Sequence, residues 1–242
     1  MTSSSKATAM PSPIARNVLI VGASRGLGLE FVRQYRADGA RVTATARADD
    51  GLAAIAALGA KPLKLDVADA ASAAGLAWQV DGESFDTVFY VSGVYGPRTA
   101  GMEPPSVDDF DAVMHTNVLG AMRVLPSVAD ALAPPAGGQP GARIGVISSR
   151  MGSIGLRNGT SGWTYRASKA AVNSVLKDAS IALAGRALCV AFHPGWVRTD
   201  MGGSGADLAP EQSVAGMRRA IAELDAARNG SFLNYDGAPL AW

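Results

Sequence analysis

Cysteine is almost missing from this chain. Cys189 is the single one in 242 residues, which excludes an intramolecular disulfide framework and any multi-thiolate metal site. Histidine is scarce too, with only His115 and His193, so no histidine-based metal centre is expected. A charge excess of either sign is lacking: 22 basic residues face 21 acidic ones, for a net charge of +1. That balance removes the electrostatic footprint of a nucleic-acid binder. No apolar run is long enough to span a bilayer. Residues 1–13 are Ser, Ala, Thr and Pro with a lone Lys6, without the apolar centre of a signal peptide. The expectation is a cytoplasmic protein with a disordered tail over residues 1–15 and a small molecule, rather than nucleic acid or membrane, as its partner.

What is present is a globular composition, 48% hydrophobic and 18% charged. Short apolar runs recur at Asn17 to Val21, Arg41 to Ala46, Pro62 to Leu65, Phe85 to Val91, Arg143 to Ile147, Leu188 to Phe192 and Ser231 to Asn234. Such runs read as strands buried on both faces. Between them, helical spacing predicts helices over Leu27 to Ala37, Asp69 to Trp78, Val107 to Leu125, Thr164 to Leu183 and Pro210 to Ala226. This alternation predicts one α/β domain over residues 16–242: a doubly wound parallel sheet of about seven strands with helices on both faces. A Pro/Gly-rich loop is expected over Ala133 to Ala142. Gly195 to Ala209 is glycine-rich and nearly uncharged, the composition of a mobile segment.

The first run ends in Gly22-Ala23-Ser24-Arg25-Gly26-Leu27-Gly28, just before the first helix. Glycines there allow a tight turn and close backbone approach to a pyrophosphate, and the helix N-terminus offers free N–H groups to the anion. The second strand ends in Thr45-Ala46-Arg47 with no carboxylate before Asp49. A carboxylate there would hydrogen-bond a ribose and repel a 2′-phosphate, whereas Arg47 and Arg25 suit that phosphate, so NADP(H) is favoured over NAD(H).

Further on, Ser148-Ser149 end the fifth strand, and Tyr165-Arg166-Ala167-Ser168-Lys169 open a long helix. Tyr165 and Lys169, four apart, share one helix face. A tyrosine with a pKa near 10 is a poor proton shuttle at neutral pH unless positive charge stabilises its phenolate; an ammonium and an oxidised nicotinamide would both do so.

The G-x-x-x-G-x-G spacing, the strand-ending serine and the Tyr/Lys pair together resemble the short-chain dehydrogenase/reductase family, which implies a Rossmann-type fold. A threonine usually precedes the first glycine there; Val21 stands in its place. The resemblance implies Tyr165 as general acid/base, Lys169 as the group that lowers its pKa and holds the nicotinamide ribose, and Ser149 as the hydrogen-bonding partner of the substrate oxygen. Asn117 matches the asparagine that bends the middle helix and orders a water in a proton relay. Asp66, with Val67, matches the position contacting adenine. His193-Pro194-Gly195-Trp196-Val197-Arg198-Thr199 matches the Pro-Gly segment, so Pro194, Gly195, Val197 and Thr199 would hold the carboxamide. His193 itself reads as a packed strand-end residue. The cofactor set is therefore Gly22, Ser24, Arg25, Gly26, Leu27, Gly28, Arg47, Asp66, Val67, Ser92, Gly93, Tyr165, Lys169, Pro194, Gly195, Val197 and Thr199.

Sixteen positions separate Ser149 from Tyr165, a few more than is usual in the family, and the extra residues around Arg157 to Gly162 read as a loop insertion. Ser148 and Ser153 stand as alternatives to Ser149. The ending Tyr-Asp-Gly-Ala-Pro-Leu-Ala-Trp and the His-Pro-Gly-Trp-Val-Arg-Thr-Asp-Met stretch are similar to the branch of sniffer- and C-signal-like carbonyl reductases. Tyr90-Val91-Ser92-Gly93 departs from the family's Asn-Asn-Ala-Gly, and the lost amides are expected to weaken cofactor affinity or loosen the sheet.

The expected function is thus an NADP(H)-dependent carbonyl reductase or alcohol dehydrogenase. Tyr95, Met151, Trp163, Trp196 and Met201 would give it an apolar pocket for a hydrophobic or aromatic carbonyl compound. The rival is a dinucleotide-binding regulatory or signalling protein with little or no turnover. A nucleotide-sugar epimerase is disfavoured because a C-terminal substrate domain is absent. Apolar residues on several faces of the two longest helices, which build a dimer interface in the family, point to a homodimer or homotetramer.

Overall fold

Strand β1 (Asn17–Val21) is apolar along its length because it is covered on both sides: Leu19 and Val21 enter one core, Val18 and Ile20 the other. The same division runs through β4 (Thr87–Tyr90), where Val88 and Tyr90 oppose Phe89. It recurs in β6 (Ala187–His193), where Cys189 and Ala191 oppose Leu188, Val190 and Phe192. Together with β2 (Arg41–Ala46), β3 (Lys61–Lys64), β5 (Ala142–Ile147) and β7 (Ser231–Asn234) they form one sheet in the order β3-β2-β1-β4-β5-β6-β7. Every pairing is parallel. The computed structural model describes residues 16–136 and 141–242. The tail expected over 1–15 and the centre of the Pro/Gly-rich loop lie outside the described residues.

Helices α1 (Gly26–Ala37), α2 (Asp49–Ala57) and α7 (Pro210–Ala222) cover one face, contributing Phe31, Ile55 and Met217 to its core. On the other face lie α3 (Ala70–Gln79), α5 (Gly120–Ser127) and α6 (Trp163–Ala182), contributing Leu76, Val124 and Leu176. The doubly wound sheet expected from the alternation is the fold observed. Helix α2 was not expected: within it only Gly51 and Ile55 are buried, too few to mark an apolar face among its alanines.

The helix expected over Val107 to Leu125 is interrupted. α4 (Val107–Met114) passes through one π turn, His115–Leu119, before α5 begins. A π turn shifts the hydrogen-bond register and releases backbone groups, and such turns cluster at functional sites. Strand order reverses between β1 and β4, which opens a crevice at the carboxyl ends of the strands, where doubly wound folds bind ligands. Among the described residues no helix is long and apolar enough to cross a membrane.

Candidate active site

That crevice is a cavity of about 1000 Å³. Its floor is the turn after β1. Gly22 adopts φ +89°, a conformation that favours glycine, and a Cβ on Gly28 would overlap the Gly22 carbonyl. Both features bring α1 close against the strand end. Arg25, the residue capping α1, offers no side-chain cap, and the first turn carries no acidic residue. Among the described residues the leading N–H groups of α1 therefore have no side-chain acceptor, which fits an anion such as a dinucleotide pyrophosphate. Thr45 in β2 steadies the turn by accepting from Gly22 N through its hydroxyl (3.0 Å).

Of the residues singled out in the sequence, the phosphate-loop set, Arg47, Asp66, Val67, Ser92, Gly93, Ser149, Tyr165, Lys169, Pro194, Gly195, Val197 and Thr199 all line the cavity. Both arginines expected to meet a 2′-phosphate face carboxylates. Arg47 lies 3.9 Å from Asp66, and Arg25 lies 3.4 Å from Asp200, with both members of that second pair largely exposed. Exposed pairs of this kind are weak and exchange readily with a ligand phosphate. The other oxygen of Asp66 accepts from Ala68 N (3.0 Å), which shapes the turn before α3.

Asn117 is buried in the π turn and does not line the cavity. Its Oδ1 accepts from Val94 N (2.8 Å), and its Nδ2 donates to Val94 O and to Ser168 Oγ, each at 2.9 Å. The side chain thus ties the segment after β4 to both the π turn and α6. Tyr90 completes the tie, its hydroxyl donating to Thr116 O. At Tyr90-Val91-Ser92-Gly93 the strand pairing is kept as far as Tyr90, between β1 and β5, and this phenol bonds to a π-turn carbonyl.

Tyr165 is buried, and burial pushes its phenol up to about 12 while the neighbouring Ser149 hydroxyl pulls the other way. Lys169 donates to Ile147 O (2.9 Å), with its Nζ 5.6 Å from the centre of the Tyr165 ring. Burial lowers its ammonium to about 8. Desolvation is the largest influence on Tyr165, and it favours the protonated phenol. Tyr95 stacks on Tyr165 with ring centres 4.6 Å apart, and Arg98 lies 5.0 Å above the Tyr95 ring.

The three serines separate clearly. Ser149 faces Tyr165 and accepts from Met151 N (3.1 Å). Ser148 turns its hydroxyl to Lys169 O (3.3 Å), and Ser153, fully buried, binds Trp242 O and Leu156 N and lies off the cavity. His193 is half-buried on the cavity wall with its Nδ1 unpartnered; burial, then the Arg150 charge, lowers it to about 4.

A purely apolar substrate end is not what the structure contains. Tyr95, Met151, Trp196 and Met201 line it, Trp163 does not, and Arg98, Arg150 and Arg166 do. These arginines, Ser168 and the Ile147 carbonyl went unrecognised in the sequence. Arg166 and Ser168 lie inside the Tyr-Arg-Ala-Ser-Lys stretch, where a search for further polar groups would have found them. Gly195 to Ala209 carries bonds of its own: Val197 pairs with Leu208, and Arg198 donates to Ala206 O and Asp207 O.

With this geometry in place, comparison with known proteins gives consistent matches. The sequence matches the short chain dehydrogenase family over residues 16–207. It is 32% identical over 235 residues to 1-hydroxy-2-glutathionyl-2-methyl-3-butene dehydrogenase of Rhodococcus sp. (strain AD45), covering 93% of this chain and 99% of that protein. Among solved structures, a short-chain dehydrogenase/reductase from Burkholderia multivorans with bound NADP superimposes with a TM-score of 0.82 at 32% identity, covering 94% of this chain and all of that one. Carbonyl reductase Sniffer of D. melanogaster gives 0.81 at 30% identity, over 94% of this chain and 99% of its own.

Proposed function

The chain belongs to the short-chain dehydrogenase/reductase family, and on that footing we propose that it is an NADP(H)-dependent carbonyl reductase or alcohol dehydrogenase with Tyr165 as general acid/base. The observation that carries this reading is one cavity with an anion-binding helix N-terminus at one end and Ser149, Tyr165 and Lys169 together at the other. NADP bound by the Burkholderia relative and carbonyl reduction by Sniffer support it.

When bound, the nicotinamide supplies or accepts the hydride. The loop from Gly22 to Gly28 holds the pyrophosphate through backbone N–H groups, and Arg25 and Arg47 exchange their carboxylate partners for a 2′-phosphate. Asp66 and Val67 border the adenine. Ser92, Gly93, Pro194 and Gly195 would border the cofactor, and Val197 and Thr199 would hold its carboxamide. Lys169 holds the ribose. Tyr165 stays protonated at neutral pH and gives its proton to the developing alkoxide, while Ser149 donates to the same oxygen. Both N–H groups of the Asn117 side chain are engaged, so the π-turn backbone is left to order a water that returns the proton. Phe110, Met122 and Ile181 remain exposed on α4, α5 and α6, which supports a homo-oligomer joined through these helices.

The test is oxidation of NADPH and NADH by wild type and Tyr165→Phe against aromatic aldehydes, ketones and quinones. NADPH turnover reduced about 10³-fold or more in the variant, with dinucleotide binding retained, is the expected result. Undiminished turnover in Tyr165→Phe would refute the assignment. Binding without reduction of any carbonyl would favour a regulatory dinucleotide binder.

A further inference from the structure

The two ends of the cavity differ in charge. At the phosphate-loop end its carboxylates, Asp66 and Asp200, face Arg47 and Arg25. Around Tyr165 the wall holds Arg98, Arg150 and Arg166, and no carboxylate pairs with any of them among the described residues. Arg166 is the decisive member. It is only 9% exposed, yet its one side-chain hydrogen bond among the described residues runs from Nε to Ser161 O (2.9 Å). A guanidinium stays charged at any physiological pH, and a buried charge without a counter-charge is costly. Its planar fork of donors matches a carboxylate.

The loop insertion builds this end. Ser161 O holds the Arg166 Nε, and Gly159 lies close enough that a Cβ there would stand 3.5 Å from the Arg166 Nη2. Gly162 N donates to Thr99 O (3.1 Å), which draws the Arg98 segment against the same loop. Arg98 is fixed in turn by the Tyr95 ring and by donation to Met201 O (3.2 Å). Through the Tyr165–Tyr95–Arg98 stack, the Arg98 guanidinium lies within ~10 Å of the Tyr165 ring.

We propose that Arg166, supported by the positive field of Arg98 and Arg150, forms an anion subsite, and that the carbonyl substrate carries a carboxylate which this subsite binds. The inference rests on the reductase reading and names its substrate class. The extra residues between Ser149 and Tyr165 are then the part of the chain that sets specificity.

The experiment compares 4-formylbenzoate with methyl 4-formylbenzoate, equal in reacting group and different in charge, on wild type, Arg166→Gln and Arg166→Lys. Wild type is expected to favour the acid by about tenfold or more in kcat/KM, with the preference shrinking as salt rises. In Arg166→Gln the ratio should collapse to near one. Arg166→Lys, which keeps the charge and loses the fork, should fall between and serves if the Gln variant misfolds. A wild-type ratio near one, or a ratio that survives Arg166→Gln, overturns the proposal. If neither aldehyde is reduced, the reductase reading suffers, and calorimetry with the same two compounds decides the subsite by itself. Tighter binding of the acid that disappears in Arg166→Gln upholds it; equal binding of acid and ester overturns it.

Discussion

The Tyr90 hydroxyl donates to the Thr116 carbonyl across 2.9 Å, joining the end of β4 to the π turn that carries Asn117. Tyr90 is 1% exposed, so the phenol itself is buried and the bond is lost with its hydroxyl. Tyr90→Phe should destabilise the protein by about 1–2 kcal/mol in denaturant unfolding and lower kcat through misplacement of the turn. An unchanged unfolding midpoint would show that the bond adds nothing.

Gly93 stands between two side chains of the same site. A Cβ there would lie 3.2 Å from Lys169 Nζ and 3.3 Å from Asn117 Oδ1. Lys169 is anchored on Ile147 O and Asn117 on Val94, so neither gives way without losing a bond. Gly93→Ala should lower kcat/KM about tenfold while moving the melting temperature little. Full activity in this variant would refute the crowding.

On the proposed function, Arg47 is the residue that would distinguish the two dinucleotides. Its only ion pair among the described residues, to Asp66 at 3.9 Å, is long and exposed, so removing it costs little stability. Arg47→Ala should lower kcat/KM for NADPH about tenfold or more and leave NADH nearly unaffected. An equal fall for both cofactors would remove Arg47 from the recognition of the 2′-phosphate.

His193 should make the protein acid-sensitive. Its folded pKa, about 4, lies below the ordinary 6.5 because burial and then Arg150 oppose the charged ring. Between these values the unfolded chain binds a proton that the folded one does not, so stability falls as pH drops from 6.5 towards 4. The shift corresponds to ~3 kcal/mol over that window. His193→Gln should flatten the slope of melting temperature against pH there, and an identical slope in both proteins would dismiss His193 as its source.

Much of this was legible in advance for a physical reason. Strands such as Asn17–Val21 are buried on both faces, so their composition alone announces them, and the glycines at 22 and 28 are demanded by backbone geometry. The Tyr165 and Lys169 pair was legible because one helix carries both. What stayed hidden depends on long-range approach. Nothing near Asp49–Ala57 marks a buried face, nothing near Asn117 signals that Val94 will use both ends of its amide, and an arginine beside a tyrosine reads as surface until a loop closes over it. The desolvation of Tyr165 is hidden for the same reason, since it is a property of the packed interior and spacing does not reveal it.

The stacking of Tyr95 on Tyr165 bears on handedness. A ring with Tyr95 stacked on it and the Lys169 ammonium 5.6 Å from its centre is restrained in position, and with it the place from which the phenol meets a carbonyl oxygen. On the proposed subsite, the substituent nearer Arg166 would be the anionic one. On the proposed reductase reading, a prochiral ketone with one anionic and one apolar arm would be held in one orientation and would give one enantiomer of the alcohol in excess.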